Sequence, residues 1–258
     1  MEYAAWINRT DRDFAAGFFA DFLRELAAAH DEKALQVLMA NVARDFGCQY
    51  YALISHEDHR IYRPGQVDVR EYPAAIAERI IGQGTYRRDP VFRGCMFADS
   101  AFIWSKLNTL IAMDRRDRAT LEFGLSHGLN EGITVPCNKL GYCLGSATFA
   151  GKISAEQAEK LIGLVQMIGV FAFKHARELA GEPIVKGTRP RLNPRPRDCV
   201  ALVARGLSNK QIARALNLAP RTVDGYLRDG YRLFNAANRA ELLAAAVLAG
   251  EIGTDELK

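Results

Sequence analysis

The sequence predicts an α+β protein: a mixed α/β domain over residues 1–178, a linker over 179–191 and a small all-helical domain over 192–258. Three observations carry that prediction. Before residue 179, strand-like runs rich in aromatic and β-branched residues alternate with helical periodicities. A stretch with two glycines, two prolines and basic residues (AGEPIVKGTRPR) follows. Beyond it only helical spacing, punctuated by caps and stops, remains.

The elements read as follows. Residues 12–46 place Phe18, Phe19, Phe22, Leu23 and Leu26, then Leu35, Leu38 and Val42, at helical intervals. Cys48–Ser55 (CQYYALIS) reads as a strand. Ala74–Ile81 is helical and ends near Gly82 and Gly84, and 115–128 forms another helix that Gly128 stops. Strands are expected at Gly132–Pro136 and Tyr142–Ala150. A long amphipathic helix runs from Ser154, its cap, to Leu179, with Glu156 in the first turn and Leu161, Leu164, Val165 and Ile168 as its stripe.

Composition narrows the class. At 49% hydrophobic and 25% charged residues the chain is globular. No run approaches the roughly 18 apolar residues of a membrane span. The charged start, MEYAAWINRTDRDF, lacks the apolar core of a signal peptide, so a cytoplasmic location is expected. Five dispersed cysteines form no CxxC pair, which argues against zinc and for reduced core thiols. The five histidines are scattered, and no nucleophile–base set or phosphate loop is visible. Neither an enzyme nor a resident cofactor is expected. Charge is unevenly shared: residues 186–258 hold 13 basic and 7 acidic side chains, against 21 and 23 in the rest. A basic C-terminal segment suits a partner that carries phosphates.

That segment has a readable plan. Asn193 and Pro194 form a cap and first-position pair, and the helix they open buries Val200, Val203 and Ala204 before stopping at Gly206. Ser208 caps a second helix carrying Ile212 and Leu216. Small Ala213 allows a close helix crossing, Asn217 tolerates a left-handed turn, and Leu218 fills the core. Pro220 opens a third helix anchored by Val223 and Leu227. A short helix, a tight turn and a second helix that enters the major groove is the helix-turn-helix plan. Arg221, Thr222, Asp224, Gly225, Arg228 and Arg232 then form the exposed face of the third helix. Arg228 is placed to donate to guanine, while Lys210, Arg221 and Thr222 suit phosphates. Gly225 in mid-helix costs about 1 kcal/mol relative to alanine, which close approach to a base edge would justify. Asp224 and Asp229 either accept from cytosine or stand solvated away from DNA.

Residues Leu192–Gly250 resemble the DNA-binding domain of LuxR-type (GerE-like) regulators. The match lies in Leu192, Pro194, Arg195, Gly206, Leu207, Ser208, Asn209, Lys210, Ile212, Ala213, Leu216, Thr222, Val223, Leu233, Asn238, Arg239 and Glu241. Pro196 and Asp198 stand where the family has glutamates, and Gly225 replaces a bulkier residue. The resemblance implies a homodimer on an inverted-repeat double-stranded operator. It also implies that the last helix, Ala240–Leu248, pairs two copies through Leu243, Ala244 and Val247.

The first domain resembles the autoinducer-binding domain of quorum-sensing LuxR regulators, an α/β/α sandwich. Tyr72-Pro73, Asp89-Pro90, Trp104, Gly132 with Val135-Pro136, and Ser146 carry that resemblance. It implies a small-molecule signal of the acyl-homoserine lactone type. Asp89 would accept the amide N–H, Tyr72 and Ser146 would donate to the amide carbonyl, and Trp104 would wall the pocket. Ile76 and Ile80 replace a tryptophan and a tyrosine of lactone-binding members, which marks this chain as atypical. Isoleucine cannot donate to a lactone carbonyl, so another group, such as Tyr86 or Tyr51, would have to supply that anchor. A ligand-independent regulator whose first domain only dimerises or binds a partner protein is the alternative.

Overall fold

A computed structural model describes residues 12–57, 64–79, 86–139, 142–182 and 190–257. Contacts divide the chain into two units between Pro183 and Ile184, inside the expected linker, of which 183–189 lies outside the described residues.

The first unit is a three-layer sandwich. Its five-stranded antiparallel sheet has the order β2-β1-β5-β4-β3, with β1 Tyr50–Ser55, β2 Asp68–Glu71, β3 Phe102–Ile103, β4 Glu131–Lys139 and β5 Tyr142–Gly151. Strands β2 and β3 were not legible as strands. Of the other three, β1 starts two residues later than the expected run, and β4 and β5 extend slightly beyond theirs. Pro136 sits in β4 beyond the two residues that pair with β3, so its missing N–H faces no neighbouring strand.

Helices α1 (Arg12–Ala28), α2 (Glu32–Asp45) and α6 (Ala155–Leu179) cover one face. The single periodic run at 12–46 is two helices, because the Asp31 carboxylate accepts from the Ala34 N–H at 2.7 Å and restarts the chain. Ser154 caps α6 and Gln157 completes a reciprocal capping box. From the sheet, Tyr51, Leu53, Val69, Ile133, Val135, Ala147 and Phe149 enter the core with Leu35, Met39, Leu161, Val165 and Ile168. Gly169 lets α6 lie close, since a Cβ there would come within 2.8 Å of the Val135 side chain.

Alternation along the strands sends the intervening residues to the opposite face. Shorter pieces cover it: α3 (Ala74–Ala77), α4 (Pro90–Cys95), a 3-10 segment at Trp104–Thr109 and α5 (Arg115–Ser126). Asp114 and Asp117 form the capping box of α5, and buried Asp117 also takes two 2.8 Å bonds from Arg93 on α4. All five cysteines are free and buried. No helix among the described residues is long and apolar enough to cross a membrane.

The second unit is all-helical: α7 (Pro194–Ala204), α8 (Asn209–Leu216), α9 (Pro220–Phe234) and α10 (Arg239–Leu248). Cys199, Val200, Val203, Ile212, Ala213, Val223, Leu227, Leu242 and Ala246 fill its core. The turn between α8 and α9 is as expected, with Asn217 at φ +52° and Leu218 packed on the core. A β-branched side chain resists that left-handed backbone. Asn217→Val is therefore expected to cost the full chain about 1–2 kcal/mol in chemical denaturation, while Asn217→Gly stays close to wild type.

Candidate ligand pocket and DNA-facing helices

The free face of the sheet is floored with small and hydroxyl-bearing residues. Across its register Arg70 pairs with Ala52, Ala52 with Thr148, and Thr148 with Thr134. The covering helices leave a cavity over this floor. It has about 770 Å³ of atom-free space, mouth included. It is a narrow slot, lined chiefly by Ile54, Ile76, Val91, Phe92, Trp104, Leu121, Phe123 and Leu129. Tyr72, Ile76, Asp89, Trp104 and Ser146, singled out from sequence, all line it. Ile80 lies outside the described residues.

Asp89 is 7% exposed and serves as the cap of α4. Its Oδ1 accepts from the Val91 and Phe92 N–H groups at 2.9 and 3.2 Å. Among the described residues its Oδ2 carries no hydrogen bond. Burial pushes its carboxyl up to about 6, against the pull of those backbone bonds and of the nearby His56 and Arg79 charges. Burial, reinforced by the Asp89 charge, also pushes the Tyr72 phenol up, so it stays a donor at neutral pH.

Trp104 lies against Gly132 so closely that a Cβ there would sit 2.5 Å from the indole. Its Nε1 donates to Thr134 Oγ1 at 2.9 Å, and that hydroxyl shares a 3.0 Å bond with Thr148. The indole is thus a fixed wall with its donor already used. Ser146 Oγ lies 3.0 Å from His56 Nε2, and His56 stacks on Phe92 with ring centroids 4.3 Å apart.

Sequence reasoning missed Thr148, His56, Arg70 and Arg79. Thr148 follows Ser146 by two on β5, so strand alternation was a usable signal. Arg70 lies on β2, whose four residues, DVRE, show too little pattern to be seen as a strand. Arg79 holds its guanidinium 4.5 Å over the Phe123 ring. The two tyrosines offered as substitute donors are placed elsewhere. Tyr51 faces the α2 side, where its hydroxyl donates to the Gln36 carbonyl at 3.1 Å. Tyr86 packs on Phe92, accepts from Arg87 and is not among the residues lining the cavity.

In the second unit Arg221, Thr222, Arg228 and Arg232 on α9 and Lys210 at the start of α8 are exposed, and Gly225 is half-buried. Positions 221, 225, 228 and 232 follow one face of α9. Nothing lies within 4 Å of where a Gly225 Cβ would be, so that glycine leaves an open notch in the stripe. Asp224 has a structural partner: Asn209 Nδ2 donates to it at 2.6 Å, and Arg239 Nη1 donates to Asn209 Oδ1 at 2.9 Å. This chain ties α8, α9 and α10 together. On α10, Leu242 and Ala246 enter the core, leaving Ala244 exposed and Leu243 and Val247 half-buried. Among the described residues no cluster of three or more His, Cys, Asp or Glu is arranged to hold a metal ion.

Comparison with known proteins agrees with both units. Residues 31–176 match the autoinducer binding domain family, and residues 190–246 match the bacterial regulatory proteins of the luxR family. Transcriptional activator protein AnoR of Acinetobacter nosocomialis is 23% identical over 235 residues, covering 89% of this chain and 97% of the relative. Two solved structures share the fold. SdiA of Escherichia coli, in complex with octanoyl-rac-glycerol, superposes with a TM-score of 0.58 at 19% identity, covering 93% of this chain and 97% of that one. CepR2 of Burkholderia cenocepacia, described as an N-acylhomoserine lactone dependent LuxR family factor, gives 0.54 at 16% identity over 67% of this chain and all of its own. With its larger unit matched to the autoinducer binding domain and its smaller one to the luxR helix-turn-helix, the chain belongs to the LuxR family of ligand-responsive, quorum-sensing-type transcription regulators.

Proposed function

We propose that the slot holds an acyl-homoserine lactone or a related small apolar amide, and that its occupancy sets the activity of a homodimer on an inverted-repeat operator. The observation that carries this reading is Asp89. A buried carboxylate with one unbonded oxygen, in an otherwise apolar cavity, suits an amide N–H. Tyr72 supplies a donor for the amide carbonyl. With the His56 proton on Nε2, Ser146 accepts from the imidazole, and a ligand carbonyl would compete with the Cys95 sulfur for its hydroxyl hydrogen. The acyl chain would run along Ile54, Val91, Leu121 and Leu129. That SdiA is seen with octanoyl-rac-glycerol, and CepR2 is described as lactone dependent, supports an acyl-bearing occupant.

The protein would act by binding and not by turnover, and in the cytoplasm, where DNA is reached. Leu243, Ala244 and Val247 would form the seam between two helix-turn-helix units. Each α9 would enter a major groove, with Arg228 reading guanine and Lys210, Arg221, Thr222 and Arg232 contacting backbone or neighbouring edges past the open Gly225.

Ligand binding is checked by thermal unfolding with N-octanoyl homoserine lactone. The wild type is expected to gain several degrees at saturating ligand, and Asp89→Ala to gain little. A flat response in both removes the lactone reading and favours a first domain that only dimerises or binds a partner.

The raised pKa of Asp89 gives a second check. A carboxyl that holds its proton more tightly when folded adds stability below about 4 and loses it as pH rises through about 6. The ligand-free wild type is therefore expected to lose up to about 3 kcal/mol over that window, a slope that Asp89→Asn removes. Lactone affinity should run the opposite way, strengthening above about 6 as the acceptor ionises.

For DNA, Arg228→Ala should cost about 1–3 kcal/mol and relax preference at one base pair. Lys210→Ala should weaken all sequences alike and reduce the salt slope by about 1. Anisotropy titrations on a selected operator and its single-base variants separate the two.

A further inference from the structure

The cavity holds a donor with nothing to donate to. Arg70 lines it from β2, and its Nη1 is buried with no hydrogen-bond partner among the described residues. The guanidinium is held from behind by its Nε, 3.1 Å from the carboxylate of Asp68, a residue outside the lining. That contact orients the fork and leaves Nη1 unsatisfied. A buried donor left unpaired is costly, and few such groups persist in folded proteins unless something else satisfies them.

The surroundings define what would satisfy it. Ala52, directly across from Arg70 on β1, is small and leaves the space beside the guanidinium open. Arg79 brings a second positive charge to the lining, already spread over the Phe123 ring, and Asp89 is the one carboxylate there among the described residues. An acceptor oxygen, neutral or anionic, is therefore complementary to this wall and another cation is not. Arg70 and Tyr72 are two residues apart and turn to the same face, about 7 Å from each other along the chain. The acceptor must then lie near the amide that Tyr72 meets, and not at the far end of an acyl tail. This is the part of the ligand for which Ile76 offers no donor.

We propose that Arg70 is the specificity-determining donor of the pocket, and that the ligand carries a second oxygen acceptor, a carbonyl or a carboxylate, beside its amide. The placement beside an amide rests on the function proposed above, whereas the demand for an acceptor rests on Arg70 alone. A guanidinium bond to oxygen in a buried site separates acceptor-bearing ligands from isosteres without one by about tenfold or more.

The test uses the full chain and five probes. N-octanoyl homoserine lactone offers a carbonyl, ring-opened N-octanoyl homoserine a carboxylate, and N-octanoyl cyclopentylamide neither. Octanoate and octane form the same contrast without an amide, since octane carries no oxygen to accept. Arg70→Met keeps the unbranched stem and removes the donors. Its former partner Asp68 is on the surface, so no buried charge is stranded.

Wild type is expected to bind the lactone or the ring-opened acid at least about tenfold more tightly than the cyclopentylamide. Arg70→Met should bring that ratio within about twofold and leave cyclopentylamide affinity unchanged. Which of the two wins identifies the acceptor. A ratio that survives in Arg70→Met overturns the proposal while leaving the amide reading intact. Octanoate stabilising wild type but not Arg70→Met, with all three amides inert, supports Arg70 and overturns the amide reading. A wild type indifferent to all five overturns both.

Discussion

Two faces of one sheet are filled to different degrees, and the sensor unit is organised around that difference. On one side Leu53, Val69, Ile133, Val135, Ala147 and Phe149 meet three helices in a closed core, with Gly169 drawing α6 down onto the strands. On the other, Ala52, Ser146, Thr148 and Gly132 present little bulk, and the covering pieces are too short to fill what remains. Strand alternation makes the two faces inseparable, because a one-residue slip would exchange them. The closed face stabilises the register, and the register assembles the pocket floor.

Within that pocket the polar groups divide into those already satisfied and those left open. Trp104, Thr134 and Thr148 are hydrogen-bonded in sequence, Thr148 also meeting the Tyr72 phenol, and Asp89 spends one oxygen on capping α4. These bonds hold walls in place. Among the described residues the second oxygen of Asp89 and the buried Nη1 of Arg70 are left open, and the Tyr72 phenol, which meets Thr148, keeps its proton. Under the proposed function capping and recognition share one carboxylate, so a ligand that engages Asp89 would act on the group that orients α4 and, through Arg93 and Asp117, the start of α5.

Much of this was legible in the sequence. The helix-turn-helix could be read nearly residue by residue, since Gly206, Ser208, Asn217 and Pro220 mark its ends by local backbone chemistry. The long capped helix and strands β1, β4 and β5 were visible as periodic runs. The pocket residues carried by resemblance, Tyr72, Asp89, Trp104 and Ser146, do converge. What stayed hidden depended on pairing across the chain. Strands β2 and β3 span four and two residues and exist through their neighbours, so Arg70 had no assigned face. Asp224 looked anomalous on a DNA-facing helix until Asn209, fifteen residues earlier, was found beside it. The break at Asp31 was present as a phase shift, since Leu35 lies nine residues and so half a turn out of step with Leu26, but the unbroken run of helical spacing masked it.

The unsatisfied groups also bear on how a small molecule could control the protein. Leaving the Arg70 donor and the Asp89 acceptor without partners in a low-dielectric slot costs the ligand-free state stability. Under the proposed function, a ligand that satisfies both recovers that cost as well as its own apolar burial. Ligand binding shifts a folding equilibrium in proportion to its affinity for the folded state alone. A sensor unit destabilised at its own pocket is then more responsive than one with a complete core, because occupancy changes the folded population where an overstable domain would register nothing.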